Sequence, residues 1–114
     1  MIHQMKLLSK PFDMIAKGDK TIELRLYDEK RRQIKVGDTI CFTKTDDINK
    51  KLFVSVVALH KFNSFKELYK SLPLLKCGYT MLDVANAKAE DMNIIYSLEK
   101  QDQYGVLGIE LRLM

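Results

Sequence analysis

The residues best suited to chemistry stand in one short stretch that follows the first glycine of the chain. Lys20, Glu23 and Arg25 come soon after Gly18. The guanidinium of an arginine is a planar fork of donors that suits phosphate groups and base edges, and a lysine adds a mobile positive charge. A glutamate can accept hydrogen bonds from amino groups or hold the arginine in place. These residue types suit a site for an anionic, base-bearing ligand such as a nucleotide better than one for an uncharged metabolite.

The charge balance favours a ligand of the same kind. The chain has a formal net charge of +4 and a sequence pI of about 9.0, and a basic chain attracts anionic partners. Seven basic and four acidic residues lie between Lys17 and Lys35. The densest run, Lys30, Arg31 and Arg32, could follow a phosphate backbone and make binding sensitive to salt. A bare run of charges is also typical of a solvated surface, so both interpretations stay open.

A strand is predicted to carry the charged side chains. Apolar and polar residues alternate from Lys20 to Leu26, and successive side chains of a strand point to opposite faces. Glu23 and Arg25 therefore share a face with Thr21. Charges on such a face are usually solvated, with ion pairs worth at most about 1 kcal/mol, and a ligand cleft is the alternative. Lys20 joins Glu23 only if the strand starts with a turn or a bulge.

The surrounding pattern predicts an α+β fold. A short helix is expected from Pro11 to the residue before Gly18, because Pro suits the first helical position and Gly the position after the last. Ser64 and Glu67 have the spacing of a capping box and predict a second helix. A weakly amphipathic helical pattern covers residues 81–95, and strands are expected over residues 2–8, 20–26, 39–42, 52–59 and 104–113. Strands outnumber helices, so a mostly antiparallel β-barrel with two to three flanking helices is favoured.

Several function classes find no support in the sequence. The 114 residues fit one domain over residues 1–114. The first residues lack the apolar core of a signal peptide, and no run approaches the roughly 20 apolar residues of a membrane span, so we expect a cytoplasmic protein without membrane contact. Cys41, Cys77, His3 and His60 have no metal-ligand spacing, and no cofactor motif is present, so neither a metal nor a cofactor is expected.

Aromatic residues are available for stacking against bases. The chain has five tyrosines, and every base offers a face on which an aromatic ring can stack. Most tyrosines of a small domain help to build the core instead. Tyr27 is the tyrosine that neighbours the charged strand, and the others are Tyr69, Tyr79, Tyr96 and Tyr104.

The chain resembles a known family over most of its length. The segment Gly18–Arg25 is similar to the signature of the ASCH family, Gly-x-Lys-x-x-Glu-x-Arg, and the likeness continues to Asp38 and over residues 89–109. The resemblance is to small bacterial-type single-domain members, and it implies a PUA-like β-barrel. It also implies a cleft for RNA or a nucleotide at the signature, formed by Lys20, Thr21, Glu23 and Arg25, with Lys30, Arg31 and Arg32 nearby.

The same resemblance leaves an enzyme and an adaptor as alternatives. Some ASCH-type proteins are amidohydrolases that act on N4-acylated cytidine nucleosides, and others have been linked to RNA cleavage. In the amidohydrolase pattern a lysine, a threonine three residues later and a distant glutamate carry the reaction. Lys20 matches the lysine, Glu23 stands at the threonine position, and Glu90 is a candidate for the distant acid. As an adaptor, the chain would bind a protein partner with the signature face.

Overall fold

The structure, a computed structural model, describes all 114 residues. The strands are β1 (Ile2–Leu7), β2 (Ile22–Leu26), β3 (Thr39–Lys44), β4 (Asp47–Phe62) and β5 (Val106–Leu113). The α-helices are α1 (Ser9–Lys17), α2 (Phe65–Ser71) and α3 (Leu98–Tyr104), and 3-10 turns cover Arg31–Gln33, Leu74–Lys76, Val84–Asn86 and Ala89–Ile94. None of the helices has the length and hydrophobicity to span a membrane.

The five strands form one mixed sheet that curls into a half-barrel. The strand order is β1-β3-β4-β5-β2, in which β1 and β3 are parallel and every other pair is antiparallel. With three α-helices beside it, the sheet makes the α+β fold that the sequence predicts. The mostly antiparallel arrangement is confirmed, and the barrel is half closed.

A gap remains between β1 and β2, because these strands stand at the two ends of the strand order. Two cationic side chains span it. Arg25 donates from Nη2 to the carbonyl of Lys6 at 2.7 Å, and Lys30 donates from Nζ to the carbonyl of Gln4 at 2.7 Å. We call this gap, with Arg25 and Lys30 across it, the seam. Cations therefore satisfy edge carbonyls of β1 that a neighbouring strand would otherwise bind.

The sheet carries a hydrophobic core on each face. Side chains of β5 alternate between them, so that Leu107 and Ile109 enter one core and Val106 enters the other. The first core also contains Phe12 and Ile15 of α1, and the second contains Phe65 and Leu68 of α2. Each of these buried side chains contributes roughly 1.5–3 kcal/mol, so α1 and α2 are fixed to opposite faces of the sheet.

The predicted cap of α1 sets the start of β2. Gly18 has φ 84°, and its N–H donates to the carbonyl of Ile15 at 3.0 Å. The N–H of Lys20 then donates back to the carbonyl of Met14 at 3.2 Å, which fixes the turn into the strand. Pro11 is the third residue of α1 and not the first, but it still lies in the first turn, where the N–H has no intrahelical acceptor.

The helical pattern over residues 81–95 does not form an α-helix. Two 3-10 turns stand there, and the side chains of Met81, Leu82 and Ile94 are exposed. No continuous apolar face is thus available to hold a helix against the sheet. Asp83 also accepts a hydrogen bond from the backbone N–H of Thr80, and such local bonds compete with helix formation.

A helix that the sequence pattern does not predict, α3, precedes the last strand. Its cap is Ser97, whose Oγ accepts from the N–H of Lys100 at 3.2 Å. The helix runs through Tyr104, so β5 begins at Val106 and not at Tyr104 as expected. The buried side chain on α3 is the polar Gln101, which hydrophobic periodicity does not register.

The predicted cap of α2 is confirmed, since Ser64 Oγ accepts from the N–H of Glu67 at 3.2 Å.

We expect Gly18→Ala to lower the free energy of unfolding by about 1 kcal/mol, because φ 84° is a left-handed conformation that disfavours any Cβ. No atom lies within 4 Å of a Cβ placed at Gly18, so steric overlap adds nothing to this cost. Urea unfolding followed by circular dichroism measures the loss. Lys17→Ala, in the exposed last turn of α1, is the control; an equal loss in both variants would contradict the assignment.

Candidate functional site

A cavity of about 370 Å³ lies where α1, β2 and the chain that follows α2 meet. We call it the main cleft. Its buried floor is charged and consists of Lys20, Glu23 and Arg25, and exposed lysines at positions 6 and 10 stand at its rim. The remaining lining is largely apolar and aromatic, with Leu7, Leu8, Pro11, Met14, Leu24, Tyr69, Cys77, Gly78, Tyr79, Met92, Ile95 and Tyr96. Of the residues predicted for the site, the structure brings Lys20, Glu23 and Arg25 together in this cavity.

Three charged side chains form a connected trio on the cleft floor. Lys20 Nζ donates to Glu23 Oε1 at 2.7 Å, and Arg25 Nε donates to Glu23 Oε2 at 2.7 Å. The side chains of Lys20, Glu23 and Arg25 are 8%, 6% and 13% exposed. A solvated strand face, the ordinary alternative for such residues, is therefore wrong for Glu23.

The position of Glu23 follows from strand parity. Glu23 is paired with Ile109 of β5 and Arg25 with Leu107, so both side chains share the face of the core that includes α1. The carboxylate of Glu23 and the guanidinium of Arg25 interrupt a face that Ile109 and Leu107 otherwise make apolar. Lys20 lies before the first residue of β2, in the turn after Gly18. Its side chain therefore does not follow the alternation of the strand and can point to the same side as Glu23. This is the turn that the sequence analysis requires if Lys20 is to reach Glu23.

The two cations keep Glu23 ionised. Burial alone would raise the pKa of this carboxyl, but the charges of Lys20 and Arg25 and their hydrogen bonds outweigh it and lower the pKa. Burial has the opposite outcome at the neighbouring Cys77, whose pKa rises to about 11. The Cys77 thiol therefore stays neutral at physiological pH and is a poor nucleophile.

The trio leaves hydrogen-bond donors unused. Lys20 Nζ has three N–H groups and a single acceptor within the protein, Glu23 Oε1. Arg25 uses Nε and Nη2, while its Nη1 makes no hydrogen bond to the protein. Both residues line the main cleft, so an acceptor that entered the cleft would meet charged donors already held in place. Hydrogen bonds to charged donors are stronger than neutral ones.

One wall of the cleft is a hydrogen-bonded pair of tyrosines. The hydroxyl of Tyr79 donates to Asp91 Oδ2 at 3.0 Å, so the hydroxyl of Tyr69, 2.7 Å from that of Tyr79, donates to Tyr79. The two rings meet edge to face at 5.8 Å between centroids. Burial raises the pKa of Tyr69, Tyr79 and Tyr96, so all three hydroxyls are neutral at physiological pH.

The basic run predicted from the sequence lies outside the main cleft. Lys30 reaches the Gln4 carbonyl across the seam, and Arg31 Nη1 pairs with Asp28 Oδ2 at 3.1 Å. The guanidinium of Arg32 lies 4.4 Å from the centroid of the Tyr27 ring. Tyr27, the tyrosine beside the charged strand, therefore belongs with Arg32 and not with the trio.

Two further residues predicted for the site do not enter the cleft. Thr21 serves the backbone: its N–H donates to the carbonyl of Lys76 at 2.9 Å, and its carbonyl accepts from the N–H of Leu111 at 2.7 Å. Glu90 is exposed and does not line the cavity. The acid that does connect to the cleft is its neighbour Asp91, through Tyr79.

The tyrosine wall is the part of the site that sequence reasoning did not assign. Tyr69, Tyr79 and Tyr96 are far from Lys20 in the sequence, and their position depends on how α2 and the 3-10 turns pack. One local signal was available at Gly78. Its φ of 113° is a left-handed conformation that favours glycine, while a Cβ there would make only an ordinary contact, 3.5 Å, with Lys20 Cδ. A glycine directly before a tyrosine can thus mark a turn of the backbone beside the site.

The histidines are engaged in pairs with single carboxylates. His3 Nε2 lies 2.8 Å from Asp38 Oδ2, and His60 Nε2 lies 3.1 Å from Glu110 Oε1. The structure contains no group of three or more His, Cys, Asp or Glu side chains arranged to hold a metal ion.

Comparison with known families and structures agrees with the fold. The family model for the ASCH domain matches residues 5–114. The hypothetical protein PH0355 is 33% identical to the chain, with a TM-score of 0.82 and complete coverage of both chains. Protein PF0455 from Pyrococcus furiosus is 34% identical, with a TM-score of 0.76 over 100% of this chain and 98% of its own.

A more distant structure shares the fold alone. The ASCH protein from Zymomonas mobilis is 15% identical, with a TM-score of 0.64 over 97% of this chain and 66% of its own. No curated protein sequence matches the chain at a significant level.

We expect Glu23→Gln to make stability less dependent on acid. In the folded protein the pKa of Glu23 is lowered from its ordinary value of 4.5. The ionised carboxylate therefore contributes fully to the free energy of unfolding above pH 4.5, and this contribution is lost as the pH falls through the pKa of the folded state. Glu23→Gln removes this loss, and at neutral pH it costs about 3 kcal/mol because Lys20 and Arg25 lose their counter-charge. Urea unfolding from about pH 3 to pH 7 measures both effects.

Glu29→Gln is the matched control for this experiment, because Glu29 is exposed and makes no salt bridge. Its profile should follow that of the wild type. If Glu23→Gln lost stability with acid in parallel with the wild type, the ionised trio would not describe the folded protein.

Proposed function

The chain belongs to the ASCH-domain family, and from this premise we propose that its main cleft binds RNA or a nucleotide. The observation that carries the proposal is the buried trio of Lys20, Glu23 and Arg25, whose unused cationic donors face a cavity walled by tyrosines. A phosphate and a base are the two chemical groups that these surroundings suit.

The cleft favours an anion at its charged end. Four basic side chains line it, Lys6, Lys10, Lys20 and Arg25, against one acidic side chain, Glu23. Both oxygens of that acid are occupied by the trio, so the remaining donors are available to phosphate oxygens. Cationic donors held in a partly desolvated cleft bind phosphate more strongly than the same groups in water.

The opposite wall favours a base. Tyr69, Tyr79 and Tyr96 line the cleft together with Met92, and aromatic stacking is worth about 1–3 kcal/mol per base. The volume of about 370 Å³ lies within the range of roughly 300–1,000 Å³ that is usual for small-molecule pockets. A nucleoside with its phosphate is therefore a ligand of suitable size and polarity.

The energetic cost of the trio also supports a functional role. Burying an ion cluster costs several kcal/mol of desolvation, and apolar residues of similar volume are often equally stabilising or more so. Glu23 stands on a sheet face that is otherwise filled by apolar side chains such as Ile109 and Leu107. Ligand recognition explains charges at this position, which packing alone does not.

An amidohydrolase acting on N4-acylated cytidine nucleosides is the second candidate. The observation in its favour is the buried pair of Lys20 and Glu23, because a lysine beside a carboxylate on a cleft floor can take part in acid–base chemistry. The lowered pKa of Glu23 keeps its carboxyl ionised at neutral pH, so this group can accept a proton but has none to donate. The exposed Glu90 lies outside the cleft, so it is not placed to act as the distant acid of this reaction.

We expect short RNAs to bind with an affinity that falls steeply with salt. Lys10→Ala, at the exposed rim, should reduce the slope of log affinity against log salt by about one, because one phosphate contact is lost. Lys20→Met should weaken binding about tenfold, since it removes a charged donor from the floor. Fluorescence anisotropy at two salt concentrations measures both changes.

Lys35→Ala is the charge-matched control for these variants. Lys35 follows the Arg31–Gln33 turn and lies near Asp38, beside the first residues of β1, while the main cleft lies at the last residues of β1. The affinity of the Lys35→Ala variant for RNA should stay close to that of the wild type. If the wild type bound neither RNA nor a mononucleotide at low salt, the proposal would be refuted.

If the amidohydrolase is the correct candidate, the protein will release a carboxylic acid from N4-acetylcytidine, and Lys20→Met will reduce turnover by about a hundredfold or more. Chromatographic detection of cytidine measures the product. Lys35→Ala should retain wild-type turnover. A panel of acylated cytidines that yields no product would eliminate this candidate and leave the binding proposal standing.

A further inference from the structure

Resting on the proposed function, we propose that the RNA-binding surface has a second subsite, so that its ligand is a strand of several nucleotides. The subsite is a separate cavity of about 560 Å³. We call it the second cleft. Tyr27, Arg32, Lys61, Asn63 and Gln103 are among the residues that line it, and none of them lines the main cleft.

An ordered cationic cluster stands in the second cleft. The Arg32 guanidinium lies 4.4 Å and Lys61 Nζ 4.8 Å from the centroid of the Tyr27 ring. Both distances are within the range of favourable cation–π contacts. Arg32 Nη2 also donates to the carbonyl of Tyr104 at 3.2 Å. Long side chains that would otherwise be mobile are thus held in a defined place before any ligand arrives.

The charges of the second cleft favour a base over a phosphate. Arg32 and Lys61 are balanced by the acids Glu67 and Asp102 in the same lining. The side-chain amides of Asn63 and Gln103 make no hydrogen bond within the protein. Amides, carboxylates and an arginine beside an aromatic ring are the groups that bind base edges and faces.

The seam connects the two clefts. Arg25 belongs to the main cleft and Tyr27 to the second, and the two residues are two positions apart, about 7 Å in extended chain. Arg25 and Lys30 bind carbonyls of β1 that are also two residues apart, at Lys6 and Gln4. Cations therefore line the surface between the clefts. An RNA strand that placed one base in each cleft would have its phosphates at this surface. Lys30 does not line the main cleft, and at the seam it would contact the phosphates of this RNA strand.

The test compares a strand with a mononucleotide. A fluorescein-labelled oligouridine of about eight nucleotides is titrated with the full chain, and uridine monophosphate is used as the competitor. We expect the wild type to bind the oligonucleotide at least about tenfold more tightly. The double variant Arg32→Gln, Lys61→Gln should bring the ratio of the two affinities down by about threefold to tenfold, because the second cleft loses the cations that hold a base. Both residues are exposed, so thermal unfolding should show a folded variant.

Lys35→Gln is the control and should keep the wild-type ratio. An unchanged ratio in the double variant, together with weaker binding by Lys10→Ala, would overturn the second subsite and leave the proposed function intact. Equal affinity of the wild type for the oligonucleotide and the mononucleotide would overturn it as well. No binding of either probe by the wild type would overturn both proposals.

Discussion

The carboxylate of Glu23 depends on two cations, and much of the local structure serves to bring them to it. Lys20 reaches it because the left-handed Gly18 ends α1 and turns the chain into β2. Arg25 reaches it because both residues stand on the same face of β2. Without either partner a carboxylate at 6% exposure would be expensive to ionise. The cap, the strand parity and the charge arrangement are therefore parts of one constraint, which leaves donors of Lys20 and Arg25 unused.

The local part of this constraint can be predicted from the sequence. The alternation after Gly18 predicts β2 and the shared face of Glu23 and Arg25. The parity of Lys20 makes its contact with Glu23 conditional on a turn or a bulge, and the structure contains a turn. These features depend on residues that are close in sequence, so short-range rules suffice. The fold class follows in the same way from the number of strand patterns and from the ASCH resemblance, which the family match confirms.

The cleft walls could not be predicted, because they depend on packing between distant segments. Tyr69 comes from α2, Tyr79 follows a 3-10 turn, and Tyr96 follows another. The segment that carries the last two has exposed apolar residues such as Leu82 and Ile94, and its hydrophobic pattern suggests a helix that does not form. The short α3 is held in part by a polar residue, Gln101, whose amide donates to Asn93 Oδ1 and the Tyr96 carbonyl. Such interactions leave no periodic signal in a sequence.

The seam has a consequence for association between molecules. Exposed edges of a β-sheet act as templates that recruit strands from other chains, and charged side chains at an edge are a common protection against aggregation. Arg25 and Lys30 already occupy the edge carbonyls of Lys6 and Gln4, so a foreign strand would have to displace buried or anchored cations before it could pair with β1. A polyanion that drew the same side chains away from those carbonyls would expose the edge unless it also covered it. The same two side chains therefore protect the edge of β1 and, under the proposed function, stand where a polyanion would bind.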